Sequence, residues 1–212
     1  MIRDFRESDF VDFQKLVNKV WEFDKHFHPP ELSRLFQKIY TGGSFSASNF
    51  LRVVDVKGQV RGFLFGKIEN KKIPKSEYSG FSGQLKIIFS LFSIPKVAFK
   101  TKLSYLNKIN LHEVNRRKVE SRKCSEVNLF VVDPDCQGEG WGKRVINEFI
   151  ETCRKENINR IVLETDAESN FGFYQHLGFS IKGSFNSPLL QAFTGKSGKT
   201  YIYELNLKSN DS

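Results

Sequence analysis

The feature that most constrains the fold is a glycine-rich loop, residues 137–142, which reads Gln-Gly-Glu-Gly-Trp-Gly. Before it, residues 127–132 form an apolar, β-branched run that predicts a strand and ends at Asp133-Pro134. After it, apolar residues recur at helical spacing over residues 143–156. A strand, a tight loop and a helix in this order indicate an α/β fold, in which the first amides of the helix face outward.

The rest of the chain predicts a mixed, mainly antiparallel sheet flanked by helices. Residues 50–56 and 60–68 form a hairpin around Lys57-Gly58-Gln59. The element order favours one βαβ unit within this α/β arrangement. The other predicted strands cover residues 2–5, 158–165, 179–185 and 200–207, and the other helices cover residues 10–20, 31–40 (ended by Gly42-Gly43) and 171–177.

Composition narrows the class of protein. The chain has 212 residues, of which 39% are hydrophobic, enough for a core. No window approaches the ~20 apolar residues of a membrane span, and the first residues do not resemble a secretory signal. The three cysteines have no metal-ligand spacing. We therefore expect a cytoplasmic globular protein without a bound metal or a disulfide framework.

The positive charge is concentrated in one segment. Residues 71–124 hold 13 Lys and Arg against 3 Asp and Glu, whereas the whole chain has a net charge of +9. We interpret this segment as a basic insertion within one domain spanning residues 1–212. The spacing of its apolar residues predicts two amphipathic helices with a break near Pro95.

The glycine loop has the chemistry of a phosphate site. Glycines let the backbone approach a ligand closely, and the positive end of a helix dipole favours an anion. The pattern is neither a Walker loop nor a dinucleotide fingerprint, which disfavours a P-loop NTPase and a Rossmann dehydrogenase.

Two motifs in order carry a resemblance to a known family. Gln137-x-x-Gly140-x-Gly142 after a strand resembles the acyl-CoA loop of the GNAT superfamily of N-acetyltransferases, and Asn170…Tyr174-x-x-x-Gly178-Phe179 resembles its second motif. The resemblance implies acetyl-CoA as cosubstrate and direct transfer of its acetyl group to an amine on a small molecule or a protein. The cofactor-binding residues it implies are Phe130, Val131, Val132, Gln137, Gly138, Glu139, Gly140, Trp141, Gly142, Lys143, Asn170 and Tyr174.

The same resemblance suggests the catalytic groups. Tyr174 is the candidate general acid, because a phenol is protonated at neutral pH and can donate to a thiolate. Glu126 and Glu164 are alternative general bases, and water could relay the proton instead. Strand alternation places Glu126 on one face with Phe130 and Val132.

Alternatives remain open for the whole chain and for the insertion. A catalytically silent module that binds acyl-CoA or a partner is the second candidate function. The insertion helices are expected to cover the sheet or a homodimer partner, or to form a lid over the acceptor. Contact with nucleic acid or a membrane surface is the weakest alternative.

Overall fold

The computed structural model describes residues 1–74, 80–121, 123–166, 171–195 and 197–207. In these residues the strands are β1 (Ile2–Asp4), β2 (Phe50–Val56), β3 (Gln59–Lys67), β4 (Ser125–Val132), β5 (Arg160–Asp166), β6 (Ser180–Asn186) and β7 (Lys199–Asn206). The α-helices are α1 (Phe10–Trp21), α2 (Phe23–His26), α3 (Pro30–Ser46), α4 (Gly80–Phe92), α5 (Phe99–Val119), α6 (Trp141–Lys155), α7 (Phe171–His176) and α8 (Pro188–Thr194).

The described strands form one sheet in the order β1-β2-β3-β4-β5-β7-β6. Every neighbouring pair is antiparallel except β4 and β5, which run parallel because α6 crosses over between them. The predicted fold class, a mixed and mainly antiparallel sheet flanked by helices, is confirmed.

Two apolar clusters cover opposite faces of the sheet. On one face, Phe13 of α1 and Phe36 of α3 pack with Phe63 and Phe65 of β3. On the other face, α6 buries an apolar stripe that includes Phe149, whose ring would collide with any side chain at Gly66. A glycine in β3 is therefore needed for the close approach of α6 to the sheet.

The segment interpreted as a basic insertion contains helices α4 and α5, which are separated near Pro95. Leu91, Ile94 and Val97 from this region are buried in the cluster of α1 and α3. The amine of Lys102 is buried as well and donates a 2.9 Å hydrogen bond to the carbonyl of Phe92. One side of the insertion thus belongs to the core, and α5 lies against α8 and β6.

One local prediction was wrong, and two short helices were missed. The helix predicted to end at Gly42-Gly43 continues to Ser46, because Thr41 and Gly42 are buried and tertiary packing outweighs the low helix propensity of glycine. The short helices α2 and α8 were not predicted, since neither is long enough for a periodic apolar pattern.

The side-chain alternation predicted for β4 was also wrong, because the strand contains a bulge. Val127 pairs with Gly66 and Leu129 with Phe65, which leaves Asn128 as an extra residue. The Asn128 amide donates to the Ser48 hydroxyl at 2.8 Å. Glu126 consequently lies on the α5 side of the sheet, whereas Phe130 lies on the α6 side.

Candidate active site

A cavity of about 870 Å³ opens where β4 and β5 separate. The two strands pair only over residues 125–127 and 161–163, beyond which β4 stays paired with β3 and β5 with β7. The predicted cofactor residues that line the cavity are Phe130, Val131, Val132, Gln137, Gly138, Gly140, Trp141, Gly142, Lys143 and Tyr174.

The remaining predicted residues lie elsewhere. Glu139 does not line the cavity, and its carboxylate accepts a 2.9 Å hydrogen bond from the Trp141 indole. Glu126 and Glu164 also lie outside the lining. Asn170 falls outside the described residues.

The glycine loop presents the start of α6 to this cavity. Gly138 and Gly140 have φ angles of +85° and +78°, a backbone conformation that other L-residues adopt only with strain. Gly140 is the N-cap of α6, so no side chain caps the first-turn amides, and the first turn has no acidic residue. These amides have no intrahelical partner, and Lys143 lines the cavity beside them, an arrangement that suits an anion.

Asp133 holds the end of β4 in place. Its buried carboxylate accepts hydrogen bonds from Lys19 at 2.6 Å and from Arg61 at 2.8 Å. Burial acts to raise the pKa of Asp133, but these two cations outweigh it and hold the pKa at about 2. The carboxylate therefore stays ionised and ties α1 and β3 to the start of the glycine loop.

The direction of one backbone amide follows from the pairing at this point. The Asp133 N–H donates to the Arg61 carbonyl of β3 at 2.7 Å. Successive N–H groups of a strand point to opposite sides. The Val132 N–H therefore points away from β3, into the gap left by β5.

Tyr174 also lines the cavity. Its ring packs against Phe173, Phe179 and Tyr203, with centroids 5.2 to 6.1 Å apart. Burial, together with the charge of Asp166, raises the pKa of Tyr174 to about 12. The phenol is therefore a proton donor throughout the neutral range.

The two candidate bases converge on one arginine of the insertion. Arg116 of α5 forms ion pairs with Glu126 and with Glu164, the latter at 3.2 Å. A single cation cannot neutralise two carboxylates. Burial raises the pKa of Glu164 to about 7, opposed by Arg116 and reinforced by the charge of Glu126.

His112, one turn before Arg116, completes this cluster. Its Nδ1 lies 2.8 Å from the Ser187 hydroxyl and its Nε2 3.6 Å from a Glu164 oxygen. Burial lowers the pKa of His112, which keeps the ring neutral near pH 7. Sequence reasoning missed both Arg116 and His112 because nothing in the basic insertion links them to strand β5.

Aromatic and acidic side chains also line the cavity. Trp21, Glu22, His26 and Asp166 are among them. Tyr40 lies close by, and burial together with the negative charges of Glu164 and Asp166 raises its pKa. The periodic pattern of the sequence identified Tyr40 only as the end of a helix.

Cys136 lines the cavity but is poorly suited to nucleophilic attack. Its side chain is buried, and burial raises the pKa of the thiol. A thiol in this state is protonated at neutral pH, whereas the thiolate is the reactive form.

The described residues contain no group of three or more His, Cys, Asp or Glu side chains arranged to hold a metal ion. None of their helices has the length and apolar character needed to cross a bilayer.

Comparison with known proteins agrees with this geometry. Residues 104–179 match the model of the Acetyltransferase (GNAT) family. The chain is 42% identical over 64 residues to an uncharacterized N-acetyltransferase, ycf52, of Gracilaria tenuistipitata var. liui, a match that covers 28% of this chain and 35% of that protein. It is 33% identical over 107 residues to the ycf52 protein of Pyropia yezoensis, covering 44% of this chain and 60% of that one.

The fold has solved counterparts of nearly the same length. Ard1 from Thermoplasma volcanium superposes with a TM-score of 0.54 at 16% identity, over 99% of this chain and 98% of that one. At 16% identity this likeness concerns the fold alone. The sequence matches are partial, because they span only 35% and 60% of the two ycf52 proteins. Residues 104–179 therefore carry the sequence match to the GNAT acetyltransferase family, and the chain over nearly its whole length shares the fold of Ard1.

Proposed function

We propose that the protein transfers an acetyl group from acetyl-CoA directly to an amine, with both substrates bound at once. The observation that carries the proposal is the cavity between the separated strands β4 and β5. The glycine loop, the protonated phenol of Tyr174 and the carboxylates of Glu22 and Asp166 all line it. We take the glycine loop as its anion end and the two carboxylates as its acceptor end. Binding the two reactants side by side makes the reaction effectively unimolecular.

The anion end suits the pyrophosphate of CoA. Main-chain amides of residues 137–143, including that of Glu139, would bind its oxygens, and Lys143 adds charge. The pantetheine arm would follow the unpaired edge of Phe130, Val131 and Val132. From the sequence motif we assign Asn170 to the same arm.

The reaction needs one proton removed and one supplied. The neutral amine attacks the thioester carbon, and the Val132 N–H stabilises the developing oxyanion. The C–S bond then breaks, and Tyr174 donates its proton to the departing thiolate. The proton lost by the amine passes through water to Glu164, because that carboxylate lies outside the cavity lining.

The acceptor end favours an amine that arrives as a cation and loses one proton to water before it attacks, because Glu22 and Asp166 line the cavity. We place the reaction in the cytosol, because the three cysteines are free and buried, as expected in a reducing compartment.

Calorimetric titration tests the binding step. Acetyl-CoA should bind one to one, and ATP at matched ionic strength should not. Gly140→Ala should weaken acetyl-CoA binding about tenfold, because it strains the loop. The matched control is Gly58→Ala, at a turn glycine with φ +79° that does not line the cavity, which should bind normally. Equal, salt-sensitive binding of both nucleotides would contradict the proposal.

A turnover assay separates the enzyme from a silent module. Release of free CoA thiol is followed with a panel of small amines and peptides bearing free N-termini or lysines. Thiol release that depends on an amine supports transfer. Tight acetyl-CoA binding without release on any amine would favour the silent binding module instead.

A further inference from the structure

The outer side of the insertion exposes large apolar side chains. Phe89 of α4 is 75% exposed and Phe99 of α5 is 66% exposed. Leu85, Ile88 and Leu103 are exposed too. We call these five residues the hairpin face. Contiguous exposed apolar groups of this size mark an interaction surface rather than ordinary scatter.

The hairpin face is continuous across the two helices. Leu85 and Phe89 are one helical turn apart on α4, and Phe99 and Leu103 are one turn apart on α5. The ring of Phe92 joins the helices by packing against Phe99 with centroids 5.4 Å apart. The opposite side of this region is anchored in the core through the buried residues Leu91, Ile94 and Val97. The exposed side chains of the hairpin face are therefore held on helices that pack against the rest of the protein.

The charged side chains of the two helices near this face are all positive. Residues 80–112 contain five lysines and no aspartate or glutamate. Lys86, Lys96 and Lys100 are exposed beside the apolar groups. A surface that combines aromatic and aliphatic groups with lysines matches an anionic lipid interface. The apolar side chains enter the boundary between headgroups and acyl chains, and the lysines are attracted to the anionic headgroups.

We propose that the hairpin face docks the protein on the surface of an anionic bilayer, with Phe89 and Phe99 inserted among the headgroups. Nucleic acid would use the lysines but leave the aliphatic residues without a partner. A second copy of the chain would oppose two sets of lysines. The contact is peripheral and independent of acetyl transfer.

Vesicle co-sedimentation of the full chain tests this proposal. The probes are phosphatidylcholine vesicles and vesicles in which about one lipid in three is phosphatidylglycerol. The protein should bind the anionic vesicles and be released by salt. Phe89→Ser with Phe99→Ser should weaken binding at least about tenfold through lost apolar burial. Lys96→Gln with Lys100→Gln should also weaken it, by about twenty-five-fold, because each lysine near the surface contributes roughly fivefold.

The control is Val11→Ser, which removes an exposed apolar side chain from α1 and should leave vesicle binding unchanged. Thermal melts check that every variant folds. Failure of the unaltered protein to bind anionic vesicles, or unchanged binding by the phenylalanine pair, overturns the proposal. It is equally overturned if the phenylalanine pair converts a dimer to a monomer in solution, or if an RNA oligonucleotide binds more tightly than the vesicles do.

Discussion

Arg116 in the insertion helix α5 lies 3.2 Å from Glu164 on β5, the strand that borders the candidate active site. The same guanidinium also pairs with Glu126 on β4. A segment that the sequence marks only as basic thus sets the electrostatics of the predicted base. The relationship makes the protonation of Glu164 depend on the insertion.

Glu164 should control the acid side of the pH–rate profile. A general base must be deprotonated, and its pKa is raised to about 7, so kcat/KM should fall as the pH drops below about 7. Glu164→Gln should lower kcat/KM about a hundredfold and remove this dependence. Glu126→Gln removes a neighbouring negative charge, so it should keep the dependence but move it to lower pH. An unchanged profile in Glu164→Gln would assign the base elsewhere.

Arg116→Leu should move the acid limb of the profile to higher pH. The substitution removes the cation that opposes the rise of the Glu164 pKa, so a larger fraction of the carboxylate is protonated at pH 7. Arg116→Lys retains the charge and should give a smaller shift. Arg117→Leu is the matched control, because Arg117 is exposed and pairs only with Glu113 among the described ion pairs. If both leucine variants shift the limb equally, Arg116 has no special link to Glu164.

Tyr174→Phe should lower kcat roughly a hundredfold while acetyl-CoA still binds. The ring stays to pack against Phe173, and only the proton donor is lost. Single-turnover kinetics and calorimetry measure the two effects separately. Tyr201→Phe, on β7 and outside the cavity lining, should have normal turnover. Normal turnover in Tyr174→Phe would rule out the assigned acid.

Two glycines should respond oppositely to alanine in urea unfolding. Gly43→Ala should raise the free energy of unfolding by about 0.5 to 1 kcal/mol, because the site is helical and a Cβ there meets nothing within 4 Å. Gly66→Ala should lower it by about 1 to 3 kcal/mol, because the added Cβ would lie 2.5 Å from the buried ring of Phe149. A destabilised Gly43→Ala would mean that α3 does not continue through the glycine pair.

The sequence pattern predicted most strands and long helices, because apolar residues recur at every second position in a half-buried strand and at every third or fourth position in a helix. The strand, loop and helix over residues 127–156 illustrate this, since alternation, glycines and a helical stripe are all local signals. The bulge at Asn128 shows where the approach fails. Nothing in β4 itself reveals the extra residue, which arises from pairing with β3 and reverses the face of every later side chain.

The sequence by itself determined the family motifs, the glycine loop and the type of fold, because these depend on short-range spacing and on backbone freedom at a few glycines. Only the tertiary structure decided which charges meet. Arg116 and Glu164 are 48 positions apart, and their contact exists because α5 packs across the sheet beside β6 and α8. Burial in that contact, which no local pattern encodes, raises the pKa of Glu164 toward neutrality.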